Sequence, residues 1–184
     1  MAKNAIYTVK YRRKREGKTH YKNRLELLKS DAPRLVVRRS NTSLVLQIVQ
    51  YQHDGDKVLC AFNAKKLESY GWKYSKKSLP ASYLAGLALG RLAIAAGVKE
   101  AIFDLGLQTP IAGSKVYAAL KGVVDAGVQV PCSDDIFPTE ERITGQHIAG
   151  AADVKGNFSA YRKEKLDVQK LPDVFASVKE RIMA

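Results

Sequence analysis

Positive charge crowds the front of this chain, and that unevenness restricts where a core can form. Residues 1–40 hold thirteen Lys or Arg against Glu16, Glu26 and Asp31, a net +10 out of +13 for all 184 residues. A stretch so dense in like charge resists closure into an apolar interior, so the core must come from the later, nearly neutral chain. The front is left to meet a polyanion. Hydrophobic residues make up 46% of the chain, enough for one globular body with appendages. We divide it into a basic arm with a short helix (1–33), an α/β core domain (34–131) and a C-terminal extension (132–184).

Several classes fall away at once. Cys60 and Cys132 show no paired spacing, so there is no disulfide framework, which suits a reducing cytoplasm. Met1–Ala5 leads into Tyr and Lys residues rather than an apolar run, so no secretory pattern is read there. The stretch Leu84–Val98 is interrupted by Arg91 and is too short to span a bilayer. The expectation is a soluble intracellular protein with no membrane partner.

Residues 1–20 lack periodicity and should order only against a partner. Thr19 is the expected cap of a helix over about Tyr21–Ser30, with Leu25 and Leu28 on its apolar edge and Asp31-Ala32-Pro33 ending it. Leu35–Arg39, Leu44–Tyr51 and Val58–Phe62 read as strands. Ser40-Asn41-Thr42 and His53-Asp54-Gly55-Asp56 between them are turn chemistry, which predicts an antiparallel meander. Ser78 and Pro80 open a helix running to about Ala96 and stopped by Gly97. Gly86 and Gly90, four apart, would let that helix lie close on a sheet, compensating their poor helix propensity.

Ala101–Leu105 is a short strand and Ser114–Ala126 a second helix, capped by Ser114 and ended by Gly127. Val128–Val130 is a last strand before Pro131, with further helical stretches near Glu140–Ala149 and Asp173–Met183. The order β-β-β-α-β-α-β implies an α/β fold with a mixed five-stranded sheet. The first three strands run antiparallel, the last two parallel to a neighbour, and the two long helices cover the faces. This arrangement resembles the ribonuclease-H-like motif, and a fold shared with nucleases does not make the chain one.

The arm carries the functional pattern. Lys10, Arg12, Arg13, Lys14, Arg15, Lys18 and Arg24 can neutralise phosphates, while Tyr11, His20 and Tyr21 interleave rings that stack on unpaired bases, with Thr19 between them. The plainer readings are a solvated basic tail or a nuclear-localisation signal. The interleaved rings and the helix that follows favour RNA. Arg38 and Arg39 are adjacent on a strand and must point to opposite faces, so one leaves the sheet toward whatever the arm binds, beside Asn41. The alternative is a charged edge strand. Lys65-Lys66 and Lys76-Lys77 bracket Tyr70, Trp72 and Tyr74; here Trp72 reads as the anchor of its loop, and Lys73, Lys76 and Lys77 as RNA contacts.

Catalysis finds little support. His20, His53 and His147 lack metal-ligand spacing with a cysteine. Asp104 lies where a nuclease of this fold would hold a metal carboxylate, but such a reaction needs several converging acids. The first strand reads Leu35-Val36-Val37-Arg38-Arg39 and supplies cations instead. A metal-dependent nuclease is therefore the second reading, and a capping or hydrogen-bonding role for Asp104 the better one. No cofactor or small-molecule substrate is expected. Gly17-Lys18-Thr19 lacks the earlier glycine of a phosphate loop. Ser114 and Lys115 open a helix after a loop and form a plausible anion site, although ordinary capping explains Ser114 as well.

The stretches Arg13–Arg24 and Pro33-Arg34-Leu35-Val36-Val37-Arg38-Arg39-Ser40-Asn41 resemble the large-subunit ribosomal protein family called L-eighteen in archaea and bacteria and L-five in eukaryotes. Ala85–Gly90, Phe103-Asp104-Leu105-Gly106, Gly113–Gly127 and Pro131–Ile148 are similar to it in order and spacing. The resemblance implies a ribonuclease-H-like fold without catalysis, and binding of 5S rRNA in the central protuberance mainly through the arm. It also implies large-subunit rRNA and neighbouring ribosomal proteins as partners, and a cytoplasmic place in the large subunit. The length and the segment after Pro131 are similar to the archaeal form. Ile111-Ala112 departs from the more polar loop that the resemblance implies.

Overall fold

The strand-like runs pair as their alternation and turns require. The structure, a computed structural model, describes residues 6–152 and 158–184; Met1–Ala5, read above for a secretory pattern, lies outside them. In chain order, α1 (Arg12–Arg15) and α2 (Tyr21–Leu28) precede β1 (Arg34–Arg39), β2 (Leu44–Gln50) and β3 (Lys57–Asn63). A 3-10 turn at Ala64–Tyr70 leads to α3 (Leu79–Ala95), β4 (Ile102–Asp104) and α4 (Lys115–Asp125). The chain closes with α5 (Glu140–Thr144), α6 (Gln146–Ala149), α7 (Ser159–Lys163) and α8 (Leu171–Met183).

The sheet order is β3-β2-β1-β4. β1, β2 and β3 form the antiparallel meander, and β4 runs parallel to β1. The sheet has four strands, not the expected five. Val128–Val130 makes only a parallel bridge between Gln129 and Glu100, where Gln129 N–H donates to the Lys99 carbonyl at 2.9 Å and Ala101 N–H to the Gln129 carbonyl at 3.0 Å. Pro131 follows immediately and has no N–H to extend the ladder.

Both long helices lie on one face of the sheet rather than one on each. Leu35 and Val37 of β1 and Leu44, Leu46 and Ile48 of β2 are fully buried in one core with α3 and α4. The intervening side chains, Arg34, Val36 and Arg38 on β1 and Val45, Gln47 and Val49 on β2, share the opposite face through their pairing. Two helices on one narrow sheet must crowd each other, and glycines make that possible. A Cβ on Gly86 would stand 2.0 Å from the Ala119 carbonyl oxygen, and one on Gly122 would stand 2.2 Å from that of Tyr83. At Gly90 it would meet the Ala126 Cβ at 2.4 Å. Gly86 and Gly90 thus serve contact with α4, not the sheet approach expected of them.

The remaining elements complete this core. α8 packs on α3 and buries Leu171, Phe175, Val178 and Ile182. Trp72 is fully buried, its Nε1 donating to the Ser75 carbonyl at 3.3 Å, so it is the anchor its surroundings implied. Ser78 caps α3 by accepting from Ala81 N–H at 3.4 Å.

Two expected caps are absent. α2 is capped by the Nδ1 of His20, which accepts from Asn23 N–H at 3.1 Å, and not by Thr19. The Thr19 hydroxyl is engaged instead by Arg13 Nε at 2.8 Å. Ser114 makes no side-chain cap on α4. On α2 the apolar edge is Leu27 and Leu28; Leu25 is 59% exposed.

Candidate nucleic-acid interface

The arm is a short helical hairpin. α1 is followed by Gly17, whose φ of +62° reverses the chain where a side chain would be strained. Glu16 clamps the bend, accepting from Arg12 at 2.8 Å and pairing with Lys18 at 2.9 Å. These two cations, Arg12 foremost, hold its carboxyl below the usual range. The rings of Tyr11 and Tyr21 approach to 5.2 Å between centroids, bringing the two ends of the hairpin together. Among the described residues, Lys10, Arg13, Lys14 and Arg15 form no ion pair with an acid.

A line of alternating charges ties this hairpin to the sheet. Arg24 on α2 donates to Asp56 at 2.9 Å. Asp56 also accepts from Arg34 at 2.7 Å, Arg34 donates to Asp104 at 2.9 Å, and Asp104 accepts from Arg38 at 3.0 Å. Burial raises the Asp56 carboxyl, but the hydrogen bonds from Arg24 and Arg34 outweigh it and leave the group below its ordinary value. Arg24 is correspondingly raised, first by Asp56. Asp104 has a third donor in Gly106 N–H at 2.8 Å. Gly106 has a φ of +65°, a backbone conformation that favours glycine, and a Cβ there would push the Arg38 guanidinium, 2.7 Å away, off the carboxylate.

Between hairpin and sheet lies a cleft of about 790 Å³, lined by Arg13, Lys18, Thr19, His20 and Arg24 from the arm side and by Arg34, Arg38, Asp104 and Gln108 from the sheet side. Of the residues singled out from sequence, these arm residues and Arg38 come together. Arg39 borders the same cleft, although strand alternation sets it on the other face of β1 from Arg38. Lys73, Lys76 and Lys77 lie between Trp72 and α3, away from the cleft lining, and Lys76 pairs with Glu68. Asn41 is exposed in a turn that the Ser40 hydroxyl stabilises by accepting from Thr42 and Ser43 N–H.

Sequence reasoning passed over Arg34 and Asp56, which organise the site. Arg34 is in phase with Val36 and Arg38, a signal that was available. Asp56 read as turn chemistry, and nothing local announces its two arginine partners. Asp104 has the hydrogen-bonding role expected of it, its oxygens engaged by Arg34, Arg38 and Gly106. No cluster of three or more His, Cys, Asp or Glu suited to a metal occurs among the described residues. No helix among them is long and apolar enough to cross a membrane.

Fold and site together define a class: a small α/β body with a cationic hairpin laid over its open sheet face, organised by ion pairs. Residues 5–99 match the family described as ribosomal large subunit proteins 60S L5 and 50S L18. The large ribosomal subunit protein uL18 of Korarchaeum cryptofilum (strain OPF8) is 47% identical over 191 aligned positions, covering 100% of this chain and 98% of the relative. The chain belongs to this family of large-subunit ribosomal proteins, in its archaeal type. It is a ribosomal constituent rather than an enzyme.

Proposed function

We propose that this protein binds 5S rRNA and helps anchor it in the central protuberance of the large subunit, with the arm and its cleft as the main contact surface. The observation that carries this reading is an imbalance. Among the described residues, the hairpin is fastened to the sheet by a single interstrand acid, Asp56, while Lys10, Arg13, Lys14 and Arg15 keep no acidic partner. Cations presented this way neutralise phosphates and release counterions. Tyr11, 72% exposed, and the exposed His20 offer rings for unpaired bases. Residues 1–33 are then the RNA-facing unit on the 34–131 body. The β3-β2-β1-β4 order, with β4 parallel to β1, supports reading that body as ribonuclease-H-like.

Filter binding with 5S rRNA across a salt series tests the proposal. If the arm neutralises roughly six to ten phosphates, affinity should fall about a thousandfold or more between about 50 and 200 mM salt. Deleting residues 1–20 should abolish specific binding with little change in melting temperature, because the Arg24–Asp56 tie lies outside the deletion. A truncated protein with full affinity would refute the role of the arm. Cleavage of the RNA on addition of Mg²⁺ would restore the nuclease reading.

A further inference from the structure

α3 and α4 run parallel. Gly86 meets Ala119 and Gly90 meets Val123 and Ala126, so the same offset brings their first turns, at Leu79 and Lys115, side by side. The strands preceding them end at the same edge. Arg38 pairs with Val45, and Val45 with Asn63 at the end of β3, so β1 and β3 finish together. Gln108 Nε2 donates to the Val37 carbonyl at 2.9 Å and holds the loop before α4 against the end of β1. The region beyond the C-terminal ends of parallel strands, in front of helix N-termini, is where open α/β sheets take their ligands.

Three cations gather there. Arg39 ends β1 on the helix-bearing face, Lys77 immediately precedes the capping residue of α3, and Lys115 is the first residue of α4. The Lys115 ammonium is partly buried; burial, then the charges of Lys77 and Arg39, hold it below its usual range. None of the three forms an ion pair among the described residues. Ser114 adds an independent sign: its Oγ is buried without a hydrogen-bond partner, and it makes no cap on α4. Two positive helix ends and three like charges repel one another unless an anion joins them, and the idle Ser114 hydroxyl can donate to that anion.

We propose that this edge is a second RNA site, in which Arg39, Lys77 and Lys115 bind a backbone phosphate of rRNA in front of the N-termini of α3 and α4. The inference rests on the ribosomal RNA-binding reading above and extends it. Arg39, at the end of β1, borders both the arm cleft and this edge, while Lys77 and Lys115 lie outside the cleft lining. The second site therefore starts where the arm cleft ends and carries the cationic surface on to Lys77 and Lys115. Phosphate is the ligand these groups recognise, because cations and amide dipoles select charge and carry no base information.

The test uses the full chain, with 5S rRNA and protein-free large-subunit rRNA as separate probes in salt-series filter binding. The exposed pair Arg39→Gln/Lys77→Gln and the triple variant adding Lys115→Gln are compared with Arg39→Gln alone, which also touches the arm cleft, and with Lys115→Arg. With at least one RNA, each multiple variant should flatten the dependence of log affinity on log salt by about one unit or more beyond Arg39→Gln. Lys115→Arg should keep the native slope. The paired variant touches only exposed side chains, so it remains informative if the triple variant melts early. Paired and triple variants with the same slope and affinity as Arg39→Gln on both RNAs would overturn the second site. If deletion of residues 1–20 still weakened binding in that case, the arm reading would stand alone; if it did not, both would fall.

Discussion

Arg34 donates to Asp104 at 2.9 Å across the parallel β1–β4 pair, burying both side chains of the pair almost completely. The carboxylate that the nuclease reading would offer to a metal is here the counter-ion of two arginines. Strand alternation puts Arg34, Val36 and Arg38 on one face, and β4 pairing sets Asp104 opposite Val36, between the two arginines. The position is electrostatically full.

Asp104→Asn should therefore destabilise the fold rather than alter any chemistry. Removing one member of a buried ion pair typically costs about 3–5 kcal/mol, and the loss here should fall at or below the lower end because Arg34 keeps Asp56. Denaturant unfolding reads it as a lowered midpoint at unchanged slope. Bound RNA should stay intact with both proteins when Mg²⁺ is present. A variant as stable as the native chain would show that Arg34 and Arg38 find other partners.

Asp56 should make stability depend on acid. Its folded carboxyl titrates below the ordinary 3.8, so the unfolded chain takes up its proton first as pH falls. Its contribution is complete above that unfolded value and disappears as pH drops through the lower, folded one. Comparing the native chain with Asp56→Asn by thermal unfolding, the stability gap should be constant near neutrality and close below about pH 4. A gap that stays open at low pH would contradict the tie.

Arg24→Gln should loosen the hairpin alone. The pair it forms is about one-third exposed, so solvent screening limits its worth to about 1 kcal/mol or less. No residue of α2 is fully buried, which leaves little else to hold it. Hydrogen exchange of the α2 amides should quicken by about fivefold while β1 and α3 keep their protection. Equal acceleration in all three elements would mean that the charge line supports the whole sheet.

Gly86→Ala should be among the most damaging single changes in the protein. Its methyl group would overlap the Ala119 carbonyl at 2.0 Å, and backbone cannot swing aside as a flexible side chain can. Overpacking of this kind typically removes about 1–3 kcal/mol or more. Gly97→Ala, with open space around it but φ at +79°, should lose only about 1 kcal/mol from backbone strain. Comparable losses at the two positions would undo the account of helix contact.

Local chemistry made much of this molecule legible. Ser78, Pro80 and Gly97 bound α3 because capping and breaking act within one turn. The meander follows from alternation in Leu44–Gln50 and from turn residues on either side. The cationic arm is a property of composition and needs no fold. Tertiary structure decided the rest. Val128–Val130 has the residues of a strand but gains one bridge, because strand identity depends on a partner ladder and Pro131 cuts it short. Gly86 and Gly90 announced a close approach, yet only packing could choose α4 over the sheet. His20 displaced Thr19 as a cap once Arg13 had taken the hydroxyl. Arg39 and Lys115 stand seventy-six residues apart, and they meet only because two helices run parallel from one sheet edge. Pairing at long range is set by which surfaces the core buries, and no window of sequence contains that choice.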